Sequence, residues 1–204
     1  MKVNNIQAAC MQLPRRRSNA DRSSQTREAL LETARRLFIE KGYEATSTPE
    51  IVAAAGLTRG ALYHHFVDKL ALYRGVVEAE AARVSAAITG SSGNGSPRDA
   101  LAAGAAAYLE AMAEGGRTHL LLVEAPAVLG SAAVETIDAG TSRATLIEGL
   151  AAALPASPSG EVAALAELAS AGFDRAAIAI AAGADPQLML AALLRIIDGL
   201  IATE

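Results

Sequence analysis

Apolar residues return every three or four positions along most of this chain, the period of an α-helix that buries one face. The first such run follows Ser24, where Leu30, Ala34, Leu37 and Phe38 fall at i, i+4, i+7 and i+8. Gly42 supplies its stop, and Lys41 sits at the negative end of the helix dipole. Next, Ser47 and Glu50 flank Thr48-Pro49 ahead of Ile51, which predicts a reciprocal capping box with proline in the first turn. Ala55-Gly56-Leu57 breaks this short helix, and Thr58 caps a second one carrying Ala61 to Phe66. Two short helices joined by a tight glycine-bearing turn predict a helix-turn-helix over residues 47–66.

A further cap at Asp68 opens a linking helix over 68–88, with Tyr73, Val77, Ala81, Val84 and Ile88 on one face. Gly90 to Gly95 reads as a loop, and Ser96-Pro97 starts the helix of Leu101, Ala105, Tyr108, Leu109 and Met112, which Gly115-Gly116 ends. Thr118 to Val128 is apolar almost all round, and Pro126 within it predicts a bend or break near Ala125. Leu146, Ile147, Leu150 and Leu154 mark another helix before the Pro155 to Gly160 loop. The last two segments carry wide apolar stripes that need a partner surface as well as a core. Their candidate interface residues are Leu165, Leu168 and Ala176 on one, and Leu190, Leu193, Leu194 and Ile197 on the other. Residues 1–22 show no period and read as a flexible basic arm.

Composition agrees with helix throughout. Of 204 residues, 51% are hydrophobic and 20% charged, enough for a core, while Ala and Leu outweigh β-branched and aromatic residues. The expected fold class is all-α. Net charge is −4, but it is split: residues 1–74 carry 12 Lys/Arg against 7 Asp/Glu, and the remainder 6 against 15. The front of the chain suits a polyanion, although such a block is also compatible with a merely solvated tail. Cys10 is the single cysteine, which leaves no intramolecular disulfide or multi-thiolate zinc site. Arg15-Arg16-Arg17 follows the weakly apolar start rather than preceding it, opposite to a secretory signal. The most apolar tract, 176–202, is interrupted by Asp185-Pro186, Arg195 and Asp198. No membrane span is expected, and the expected compartment is the cytoplasm.

In a helix-turn-helix the second helix enters the DNA major groove and its N-terminal residues reach base edges. Arg59 is the long donor at that position, able to fork onto guanine O6 and N7 for about 1–3 kcal/mol of discrimination, or else to hold a phosphate. Gly60 and Ala61 allow close approach. Tyr63, His64 and His65 offer rings with donors, while Leu62 and Phe66 should face the core. Adjacent histidines point about 100° apart on a helix, so no metal site is expected. Lys69 and the capping hydroxyls of Thr48 and Thr58 complete a candidate phosphate rim, each hydroxyl equally able to act as a cap alone. No cofactor is called for.

Thr26-Arg27, Leu30-Leu31, Lys41-Gly42-Tyr43, Ala45-Thr46-Ser47, Ala54-Ala55-Gly56-Leu57, Arg59-Gly60, Leu62-Tyr63-His64-His65-Phe66, Lys69 and Leu72-Tyr73 together resemble the tetracycline-repressor-type (TetR) family. That resemblance covers about a quarter of the chain. It implies a three-helix DNA-binding domain over 23–72 and a larger helical domain over 73–204 for ligand binding and dimerisation. It also implies DNA contacts at Thr48, Thr58, Arg59, Gly60, Tyr63, His64, His65 and Lys69. Pro49 stands where the family often has a polar residue, so a base contact from that position is not carried over. Residues 122–130 are similar to a segment of one broad branch of the family.

The implied function is a sequence-specific repressor, a homodimer on a palindromic double-stranded operator, released by an unidentified small molecule. Tyr108, Met112, Leu121, Glu124 and Phe173 are candidates to line its cavity, although each taken singly is more readily read as ordinary core. Glu124 stands out, since an acid in so apolar a run needs a partner or a ligand. An activator, or a regulator answering to a protein partner, remains an alternative. An enzyme on a helical bundle is disfavoured, because the chain has three histidines, one cysteine and no Glu-x-x-His pair.

Overall fold

The computed structural model describes residues 19–91 and 95–201; expectations for the N-terminal arm before Asn19, with Cys10 and Arg15 to Arg17, lie outside them. Among the described residues there are helices and turns but no strands. Helix α1 (Asn19–Ala45) begins about three turns before Leu30 opens the apolar pattern, because its first residues are exposed and leave no periodic signal. It buries Leu30, Leu31, Ala34, Leu37 and Phe38. Gly42 interrupts it at φ +81°, a backbone setting that costs any residue with a Cβ and turns the chain toward the next element.

Helix α2 (Thr48–Ala54) follows the N-cap Ser47, whose Oγ accepts from the Glu50 amide at 3.3 Å. The Glu50 carboxylate pairs with Lys41, and hydrogen bonding from Lys41 and, less strongly, from the Ser47 backbone holds it below its usual range. Gly56 at φ +65° carries the turn. Its neighbour Leu57 donates its amide to Val52 O at 2.9 Å, satisfying the end of α2. Thr58 then caps α3 (Arg59–His65) by accepting from the Ala61 amide at 3.1 Å. Leu62 and Phe66 anchor α3 to α1, as their spacing predicts.

Helix α4 (Lys69–Ser91) starts on Asp68, whose Oδ1 accepts from the Ala71 amide at 2.7 Å, and runs from the small N-terminal bundle into the rest. Against it pack α5 (Pro97–Ala113) and α9 (Ser142–Ala153). Between them lies a composite segment: α6 (Arg117–His119), a π-helical turn over Leu120–Glu124, and α7 (Ala125–Leu129). The expected break near Ala125 is this widened turn instead. Ala125 donates to Leu120 O, five residues back, which shifts the ladder just before Pro126 removes its donor.

Helix α8 (Ser131–Ala139) was not anticipated: it is short, and only Val134 and Ile137, three residues apart, pack on the core, neither of them fully buried. Helices α10 (Ser159–Ala181) and α11 (Pro186–Ile201) pack on α5 and on each other. Within the described residues no helix is long and apolar enough to cross a membrane.

Candidate nucleic-acid interface and internal cavity

The polar side of α3 is uncommitted to the protein core. Thr58, Arg59, Gly60, Tyr63 and His64 are exposed on it, while Thr48 reaches it from the start of α2. Hydrogen bonding from Thr48, and secondarily from Arg59, holds the exposed Tyr63 phenol below its usual range. Three residues from two helices therefore meet at one point. A Cβ on Gly60 would meet only Thr58 Oγ1, at 3.8 Å, so packing within the chain does not require glycine there.

His65 is turned partly inward. Burial, then the neighbouring His64 and Arg27, lower its pKa, keeping the ring neutral. Arg27, from α1, lies 5.3 Å from the Phe66 ring centroid and brings a cation to this edge, which the periodic reading of α1 did not single out. Lys69 needs a larger revision. Its ammonium donates to Tyr43 O at 2.8 Å and Thr46 O at 3.0 Å, and sits 4.0 Å from the Tyr43 ring centroid. It ties the end of α1 to α4, leaving one N–H of its three for a phosphate.

Two polar seams join the helix-turn-helix region to the other helices. In one, Glu80 on α4 is fully buried and accepts from Arg117 Nε at 2.8 Å. Arg35 of α1 lies 2.9 Å from the same carboxylate, and Arg83 also pairs with it. Burial alone would raise the Glu80 pKa; the Arg117 and Arg35 guanidiniums outweigh that and hold it low. In the other seam, Glu124 at the end of the π-turn accepts from the Tyr43 amide at 2.6 Å and the Tyr73 hydroxyl at 3.1 Å. Burial first, and Glu124 second, push the Tyr73 phenol well above its ordinary value. The partner that Glu124 needs is thus the kink of α1, and Glu124 lines neither cavity of the helical bundle.

One cavity, about 220 Å³, lies among α4, α5, α9 and α10 and is lined by Tyr108 and Phe173 with aliphatic neighbours. A second, about 230 Å³, is lined by Tyr108, Met112 and Leu121, and by charged residues that the helical pattern did not flag: Asp138, Arg143 and Asp174. Tyr108 and Phe173 meet edge to face at 5.6 Å.

The outer helices also revise the interface list. Ala176, Leu193 and Ile197 are buried inside the single chain, so they belong to its core. Leu165, Leu190 and Leu194 are half-buried against that core. Leu168, at 73% exposure, joins Leu188 and Ile196 as large apolar side chains left open.

Residues 30–76 match the family model for bacterial regulatory proteins of the tetR family, and residues 98–203 match that for the tetracyclin repressor-like C-terminal domain. A TetR-family transcriptional regulator from Pectobacterium atrosepticum is 33% identical, with a TM-score of 0.65 over 90% of this chain and 95% of that one. A TetR-family regulator from Streptomyces coelicolor superposes with a TM-score of 0.68 at 25% identity over 88% and 95% of the two chains. The transcriptional repressor BepR of Brucella suis is 42% identical over 62 residues, which are 30% of this chain and 29% of BepR. The repressor AcnR of Corynebacterium glutamicum is 38% identical over 69 residues, or 34% and 37%. The matched stretch therefore spans little more than a third of these curated relatives at most. With the helix-turn-helix region and the C-terminal helices each matched to a family model, this protein belongs to the TetR family of bacterial regulatory proteins.

Proposed function

We propose that this chain is a transcriptional repressor rather than an enzyme, acting as a homodimer on a palindromic operator and released by a small molecule. Residues 23–72 form its DNA-binding domain and 73–204 its effector and dimerisation domain, with α4 spanning the two. The observation that carries the reading is the outward polar face of α3, where Arg59, Tyr63 and His64 stand exposed while Leu62 and Phe66 hold the helix to the core. Arg59 reads a base edge, Thr48, Tyr63 and His64 take neighbouring phosphates or bases, and Thr58 presents a helix N-terminus to the backbone. Gly60 lets the helix close on the groove. The repressor names carried by BepR and AcnR support the sign of the regulation.

Two copies joined along α10 and α11 through Leu168, Leu188 and Ile196 place their α3 helices about one DNA turn (~34 Å) or more apart. Effector release follows from linkage: a ligand favouring a dimer of different α3 spacing must oppose DNA binding by the same factor. The π-turn supports this route, because Leu121 and Leu122 line the second cavity while Glu124, at the end of the same turn, grips Tyr43. Selection of operators from random DNA tests the reading. A palindromic consensus is the expected product, and an unenriched pool would contradict it.

A further inference from the structure

The two cavities share Tyr108, Ser142 and Ser170 as common wall, so they adjoin rather than stand apart. Together their volumes fall within the roughly 300–1,000 Å³ of small-molecule sites. Their linings differ in kind. The first presents Ile88, Leu101, Leu146 and the Tyr108–Phe173 ring pair, with Glu148 as its charged group. The second adds Glu135, Asp138, Glu167 and Asp174, against one guanidinium, that of Arg143.

Arg143 does not neutralise this set. It is divided among Asp138, at 3.4 Å, Glu167 and the Glu135 carbonyl, at 3.1 Å. Asp174 accepts from the Tyr108 hydroxyl at 2.5 Å, a neutral donor at the boundary between the two spaces. Asp174 is half-buried, hydrogen-bonded to a phenol and reached by Arg143 only through space, and burial outweighs both; a cation placed beside it recovers that cost as a charge-assisted contact. An anion would meet net negative charge. A neutral ligand would leave the carboxylates as they are. The aromatic pair adds electron-rich faces near the same boundary, which favour a cation and its apolar substituents.

We propose that the two cavities form one bipartite site for an amphipathic organic cation. Its apolar body lies against Phe173 and Leu146, and its ammonium group meets Asp174 and Asp138 beside Tyr108. This names the effector class within the repressor reading and rests on that reading for its regulatory meaning. Burial, reinforced for Asp138 by Asp174, raises the pKa of both carboxyls, as expected where their charges lack a full counterpart.

Three probes of one skeleton test the proposal: 4-phenylbutylammonium, 4-phenylbutanol and 4-phenylbutyrate, titrated calorimetrically into the full-length protein. The cation is expected to bind at least tenfold more tightly than the alcohol, and the carboxylate more weakly still. Asp174→Asn should lower cation affinity at least fivefold while alcohol affinity stays within twofold, and that retained affinity reports an intact cavity. Should the variant fail to fold, the wild-type ranking decides alone. Equal affinities for cation and alcohol, preference for the carboxylate, or no binding of any probe would overturn the proposal. Operator binding is read separately by fluorescence anisotropy on the same preparation. Its loss would defeat the repressor reading and leave the charge preference standing.

Discussion

Glu124 Oε1 lies 2.6 Å from the Tyr43 amide, across 81 residues of sequence, and so fastens the π-turn to the kink at Gly42. A Cβ on Gly42 would come within 3.1 Å of the same oxygen, so the kink and the carboxylate occupy one tightly fitted joint. Lys69 holds the carbonyl of Tyr43 while Glu124 holds its amide, which places this peptide between the helix-turn-helix and the cavity wall.

Glu124→Gln tests that joint. An amide oxygen can still accept one of the two bonds, but its NH₂ cannot accept the other, so about 1–2 kcal/mol of stability should be lost in urea denaturation. Operator affinity should change less than the coupling. The ratio of operator affinities without and with a cavity ligand should fall severalfold toward unity; an unchanged ratio would remove Glu124 from the relay.

The outer apolar residues separate assembly from folding. Leu168→Asp combined with Ile196→Asp should yield a folded monomer by light scattering, with the helical signal retained. Leu193→Ala should instead cost about 2–5 kcal/mol of stability, since Leu193 is only 6% exposed within one chain.

Asp174 and Glu80 should respond to pH with opposite signs. Burial raises the folded Asp174 pKa, so its cost appears as pH climbs above the ordinary carboxylate value of about 3.9 and is complete once pH exceeds the folded value. Asp174→Asn should therefore raise Tm at pH 7, with the gain vanishing toward pH 4. Glu80 is lowered, so its contribution is present above the ordinary carboxylate value and disappears as pH falls through the folded one. Glu80→Gln should lose about 3–5 kcal/mol at pH 7, because it takes the buried carboxylate from Arg35 and from the buried Arg117, which keeps only the exposed Glu114 as a carboxylate partner.

What the sequence made legible is what local rules govern. Ser47, Thr58 and Asp68 cap helices within three residues of themselves, and Leu62 and Phe66 follow the helical period, so the helix-turn-helix could be read directly. Glu80, Lys69 and Glu124 could not be assigned, because their partners, Arg83 beside Glu80 aside, lie 23 to 81 residues away and only the packed helices bring them together. Leu193 and Leu168 share a stripe type but not a fate; a stripe identifies an apolar face without telling a core from an interface. Helix α8 offers only Val134 and Ile137 as apolar markers, too short a run to read, and with it Asp138 and the charge of the cavity went unread.

In the proposed repressor the exposed face of α3 reads DNA sequence. The most direct test of this is the affinity of wild type and Arg59→Ala for the selected operator and for random DNA of equal length at one fixed salt concentration. The variant should lose about 1–3 kcal/mol on the operator and much less on random DNA. Equal losses on both duplexes would make Arg59 a phosphate contact, and no loss on either would contradict the interface itself.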